Sequence, residues 1–129
     1  VIGSYLGLDM SIQIILGYLF APVAWLMGIP WGEAVVAGEL LGLKTTLNEF
    51  VAYPALASLE PGILSDKSKL ITFYALCGFA NFSSVGILVS GLGAMAPERK
   101  EDLIEVSFQA LVGATLASCM TGLIVGCLI

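Results

Sequence analysis

Histidine is absent from the chain, which excludes metal centres and acid–base chemistry built on imidazole. Cations are nearly as scarce: five Lys and Arg stand against ten Asp and Glu, a net charge of −5. Nucleic acid is therefore not an expected partner, because it requires positive charge clustered on one face. The three cysteines, Cys77, Cys119 and Cys127, show no close CxxC pairing. They read as small apolar fillers of helices, not as a disulfide or metal framework. No cationic segment with a cleavage site leads into the apolar sequence, so no signal peptide is expected. Val1 in place of Met suits a fragment or a processed product.

Charge of either sign is in short supply. Only 12% of the 129 residues are charged and 58% are hydrophobic. A soluble domain is about 45–50% apolar and about 25% charged. So few charged side chains hardly cover the water-facing surface of a domain this size. A bilayer supplies the missing apolar solvent, which makes lipid an expected partner. The reading is an all-α integral membrane protein that crosses the cell (inner) membrane more than once.

Four apolar stretches are present. The first, 11–29, carries no charge and contains Pro22, which is expected to kink it. At about 1.5 Å per residue it barely spans a hydrocarbon core of about 30 Å. Transmembrane and interfacial placements both remain open, with Tyr18 and Trp25 as interfacial anchors in the second. The fourth, 103–129, reads as a clean transmembrane helix. Ala110, Ala114, Ser118, Gly122 and Gly126 recur along it every four residues. Such a stripe of small side chains lets another helix approach closely. The charged run from Pro97 to Asp102 before it reads as a solvated loop.

The two middle stretches are different. Segment 30–59 opens with Pro30 and Glu33, both suited to a helix start, and then carries Glu39, Lys44, Asn48 and Glu49. A charge at the bilayer centre costs about 2.5–3.5 kcal/mol on insertion scales, so this is a poor simple span. It reads as a re-entrant hairpin, with a helix up to Lys44, a polar tip, and a helix resuming after Tyr53. A loop at 60–69 follows, with Pro61-Gly62 as its turn and Ser65-Asp66-Lys67 as a helix cap. Segment 70–96 is long enough to span, but Gly78, Asn81, Ser83 and Ser84 weaken its middle. It reads as a helix that unwinds near mid-membrane. The Lys and Arg residues flank this stretch at both ends, so the positive-inside rule gives no orientation.

Polar residues inside a membrane segment mark function by default. Asn48 and Glu49 form one such set, and Asn81 with Ser83 and Ser84 forms the other. A carboxylate, an amide and a hydroxyl together suit a polyhydroxylated or amide-bearing solute. Glu49 can accept two hydrogen bonds from a vicinal diol, Asn81 can donate and accept, and Ser84 can do either. Ser83 is better explained by a helix–helix contact, and Lys44 by a structural counter-ion. Broken helices that aim backbone groups at a midplane ligand are the architecture of secondary transporters. An intramembrane enzyme with Glu49 as general base lacks a nucleophile or metal partner. A purely structural membrane protein gains little from broken backbone. Transport without bond chemistry is therefore the expected function.

The motifs are specific enough to suggest a family. Gly42-Leu43-Lys44-Thr45-Thr46-Leu47-Asn48-Glu49-Phe50-Val51-Ala52-Tyr53 resembles the signature G-x-K-x-x-x-N-E-F-V-A-aromatic of concentrative nucleoside transporters. The run from Ala75 to Ser84, with Gly78-Phe79-Ala80-Asn81-Phe82-Ser83-Ser84 at its centre, resembles that family's broken helix. Gly91-Leu92-Gly93 with Ala96-Pro97-Glu98-Arg99-Lys100 resembles the loop after it, and Gly17 to Gly28 fits as well. The blocks keep their order over nearly the whole chain. The resemblance implies the second half of a transporter domain, in a symporter driven by sodium or protons that imports nucleosides by alternating access. It implies that Glu49 binds ribose hydroxyls, that Asn81 and Ser84 complete the grip, and that Phe79 lines the cavity. Asn48 belongs to the same site by its place in the motif. It also implies a homotrimer, with no cofactor beyond the coupling ion and no metal site. The family's earlier hairpin, which reads the nucleobase, has no match in this chain. The alternative is a secondary transporter of another polar solute.

Overall fold

The computed structural model describes residues 12–129, so Ser11 of the first predicted stretch lies outside the described residues. Among the described residues six α-helices follow one another: α1 (Ile12–Leu26), α2 (Trp31–Thr46), α3 (Glu49–Ala57), α4 (Asp66–Leu76), α5 (Phe82–Met95) and α6 (Lys100–Leu128). A 3₁₀ turn, Pro97–Arg99, leads into α6, and no strand occurs among the described residues.

The first reversal is set by glycine. Gly28 has φ +96°, a left-handed conformation that side chains resist. Gly28 N–H donates to Trp25 O at 2.9 Å and Ile29 N–H to Ala24 O at 3.2 Å. Both bonds satisfy the open carbonyls of α1, as in a Schellman stop. Pro30 follows and Trp31 starts α2. The axes of α1 and α2 then meet at a bend of 118°. Pro22 lies within α1 without ending it.

Small residues bring α1 and α2 close together. A Cβ built on Gly38 would collide with Gly17 O and come within 2.9 Å of Ala21 N. Backbone cannot move aside as a side-chain end can. Gly38→Ala is therefore expected to lower the melting temperature of the purified protein by several degrees, since overpacking costs about 1–3 kcal/mol. Thermal unfolding in detergent checks this, and an unchanged melting point would count against such close contact.

The small-residue stripe of α6 packs as expected. A Cβ on Gly122 would lie 2.8 Å from Ile71 O and 3.0 Å from Ala75 Cβ, and one on Gly126 would lie 2.8 Å from Ile71 Cδ1. Farther along the same stripe, Ser118 lies against Gly78, at the point where the α4 backbone breaks. Thus α6 supports α4 through its C-terminal half and α5 through its N-terminal half. The core between α1, α2, α4 and α6 is built from Ala24, Ile29, Ala37, Leu41, Ile71 and Leu76.

The outer surface is apolar. Ile87, Met95, Phe108, Leu116, Met120 and Leu128 are all exposed. Pro97–Leu128 is one continuous helical run of 32 residues, long and apolar enough to cross a membrane. The charged residues expected as a loop before it form the 3₁₀ turn and the first turn of α6 instead. Glu101 and Asp102 suit that helix start, where partial positive charge accumulates.

Candidate functional site

Two backbone breaks face each other. The first separates α2 from α3 at Leu47 and Asn48. Thr45 and Thr46 turn their hydroxyls back to Leu41 O and Gly42 O, each at 2.8 Å. Asn48 then adopts extended backbone, and its side-chain Oδ1 accepts from Val51 N–H at 3.1 Å. That cap starts α3 at Glu49, earlier than the resumption after Tyr53 expected from sequence. The break is two residues long because Leu47 closes α2 and the next residue, Asn48, already caps α3.

The second break separates α4 from α5. Gly78 suits a close approach of α6, since a Cβ there would meet Ser118 Oγ and lie 3.0 Å from Ser118 Cβ. Asn81 is extended and caps α5, just as Asn48 caps α3. Its Oδ1 accepts from Ser84 N–H at 2.7 Å and from Ser84 Oγ at 2.9 Å. Its Nδ2 donates to Glu49 Oε2 at 2.9 Å, joining the two breaks. Asn81 is 1% exposed and Glu49 6% exposed, so this bond lies out of solvent. Ser83 Oγ donates to Leu47 O at 3.1 Å, the helix–helix contact expected of it.

The electrostatics follow from these caps. Glu49 is the first residue of α3, and Asn81 precedes the first residue of α5. Two helix N-termini, each with partial positive charge, converge on one carboxylate. Lys44 is 1% exposed and donates to Ala75 O at 3.3 Å. Among the described residues the one ion pair within 4 Å is Arg99–Asp102, so Lys44 is not the direct salt-bridge partner of Glu49. No buried side-chain nitrogen or oxygen among the described residues lacks a hydrogen-bond partner. Tyr53 Oη adds a further tie between the elements, 3.3 Å from Phe73 O and 3.0 Å from Cys77 Sγ.

The residues predicted from sequence are brought together unequally. Glu49, Asn81 and Ser84 form one chain of hydrogen bonds. A cavity of about 130 Å³ lies beside it between α5 and α6, with Phe79, Asn81, Ser84, Leu88, Ser107 and Leu111 among its lining. Phe79 is 69% exposed beside it. Asn48 and Glu49 do not line this cavity, and the Oδ1 of Asn48 is committed to the α3 cap. The dual donor–acceptor role expected of Asn81 is narrowed. Both acceptor positions of its Oδ1 are used by Ser84, which leaves the second Nδ2 proton. Ser107, which nothing in the sequence singles out, also lines this cavity.

Comparison with known proteins gives a consistent picture. A family model described as the Na⁺-dependent nucleoside transporter C-terminus matches residues 1–126. The chain is 45% identical over 121 residues to the nucleoside permease NupC of Helicobacter pylori, covering 91% of this chain and 29% of that protein. It is 39% identical over 133 residues to sodium/nucleoside cotransporter 1 of Mus musculus, covering 92% of this chain and 20% of that protein. The solved structure of CNTnw in an inward-facing substrate-bound state superposes with a TM-score of 0.88 at 45% identity, covering 97% of this chain and 31% of that one. The chain thus spans less than a third of the length of these relatives. They are permeases and cotransporters, not enzymes. The all-helical fold, the paired breaks and these similarities agree: the chain belongs to the family of concentrative, Na⁺-dependent nucleoside transporters and corresponds to their C-terminal portion.

Proposed function

We propose that this chain supplies the ribose-binding half of the site in a cation-coupled nucleoside symporter, which imports nucleosides across the cell membrane by alternating access. The observation that carries this reading is the 2.9 Å bond from Asn81 Nδ2 to Glu49 Oε2 across the two breaks. It spends one carboxylate oxygen and one amide proton. What is left is Glu49 Oε1, the second Nδ2 proton of Asn81, and the acceptor side of Ser84 Oγ. Two acceptors and one donor, close together at the edge of the buried pair, match a vicinal diol whose hydroxyls both donate and accept. Phe79 offers an apolar face beside them. The names of the relatives supply the nucleoside, and that of the mouse cotransporter favours sodium over protons as the coupling ion. The homotrimer implied by the family belongs to this proposal.

The diol reading has a direct test. In cells expressing the transporter that carries this chain, 2′,3′-dideoxyuridine is expected to compete with labelled uridine about 10- to 150-fold less well than uridine itself. The range corresponds to about 1.5–3 kcal/mol for a hydrogen bond to a charged group. Equal competition by the two compounds would leave Glu49 a structural residue. Uptake with sodium replaced by choline, at two pH values, separates the coupling ions.

A further inference from the structure

We propose that Lys44 is a positioning residue for the Glu49–Asn81 pair: its ammonium caps the carbonyl end of α4 and so fixes the break from which Asn81 reaches the carboxylate. The role rests on the ribose reading of that pair. Lys44 is the largest of the fully buried side chains. A lysine of this kind leaves water only where its charged end is held. The holder is backbone, Ala75 O at 3.3 Å, in the last turn of α4.

The last carbonyls of a helix have no donor within the helix and carry its partial negative charge. At the end of α4 three of them find donors from different sources. Phe73 O lies 3.3 Å from the Tyr53 hydroxyl, Tyr74 O takes the Cys77 N–H at 3.2 Å, and Ala75 O takes Lys44. Lys44 is the cation among these donors. Its ammonium also borders the break itself, since a Cβ on Gly78 would lie 3.7 Å from Lys44 Nζ.

Two contacts therefore bracket Asn81. Before it, Lys44 of α2 holds Ala75 O. After it, Ser83 Oγ holds Leu47 O, just past the end of α2. Between them the chain leaves α4, passes Gly78 and presents Asn81 to Glu49. Without the cap, the end of α4 is released and Asn81 loses its fixed distance from Glu49. A misplacement of about 1 Å at a binding group is enough to cost orders of magnitude in function.

The test uses Lys44→Met, which keeps length and apolar stem but not charge, and Lys44→Gln, which keeps a neutral donor. Both are read in the full transporter as the ratio of uridine to 2′,3′-dideoxyuridine in competition against labelled uridine. Protein in the membrane is quantified in parallel. The ratio is expected to fall about tenfold or more toward one in K44M, with K44Q intermediate. A wild-type ratio that persists in the variants, with uptake of both compounds reduced equally, overturns the positioning role. So does failure of both variants to reach the membrane, which makes Lys44 a folding residue only. Absence of discrimination in the wild type itself sinks the ribose reading and the Lys44 role together.

Discussion

Glu49→Gln is expected to lower the kcat/KM for uridine uptake roughly 30- to 150-fold while leaving the amount of protein in the membrane unchanged. The estimate takes the lost charge assistance as about 2–3 kcal/mol, at about 1.4 kcal/mol per tenfold. Folding is spared for a local reason. Asn81 Nδ2 donates to one side-chain oxygen of Glu49, and glutamine retains one such oxygen. The start of α3 depends on the Asn48 cap, which the substitution does not touch. What glutamine loses is the negative charge and the acceptor character of the second oxygen. Those are the features left for a diol. Initial-rate uptake alongside surface labelling measures both quantities, and uptake at the wild-type rate would remove Glu49 from the binding site.

Asn81→Ala is expected to abolish measurable uptake and also to lower the melting temperature. The two losses have separate causes. Removing Oδ1 takes the cap from α5 and leaves the Ser84 N–H without its acceptor, at about 0.5–2 kcal/mol. Removing Nδ2 leaves the nearly buried Glu49 carboxylate without its recorded donor, at about 1–3 kcal/mol or more. Asn81→Ser separates them. Serine is as good a cap as asparagine and brings no second charge beside Glu49, so α5 is retained, but the donor to Glu49 is lost. Detergent melting curves and uptake therefore distinguish three patterns. Alanine loses stability and transport, serine loses transport above all, and E49Q loses transport alone. A single pattern shared by all three would mean that the Glu49–Asn81 bond has no binding role distinct from its structural one.

Much of the site was legible in the chain because a bilayer makes polar residues conspicuous. Glu49, Asn81 and Ser84 stood out by composition, since apolar surroundings give no reason to keep them. The break at Gly78–Asn81 was legible too, because glycine, asparagine and paired serines weaken a helix locally. Other features were not. Periodicity carried the second helix of the hairpin only from Tyr53, whereas the Asn48 cap starts it at Glu49. Asparagine serves equally as a helix cap and as a polar binding group, and no local signal separates the two. The partner of Lys44 was also out of reach. A charge at that depth asks for a counter-charge, yet it is met by a carbonyl 31 residues away.

By itself, the sequence determined the solvent, the helical class, the sites of interruption and the residue types available for binding. Each follows from composition or from preferences within a few residues. Only the tertiary structure decided how the interruptions meet. Asn81 reaches Glu49 because Gly78 lets α4 lie against Ser118 of α6, while Gly38 lets α2 lie against α1. Those approaches depend on backbone-to-backbone distances between segments far apart in the chain. The hydrogen-bonding capacity left for a solute depends on them in turn, because each atom spent on an internal partner is lost to a ligand. Residue identity sets how many bonds a group can make, and packing sets how many remain.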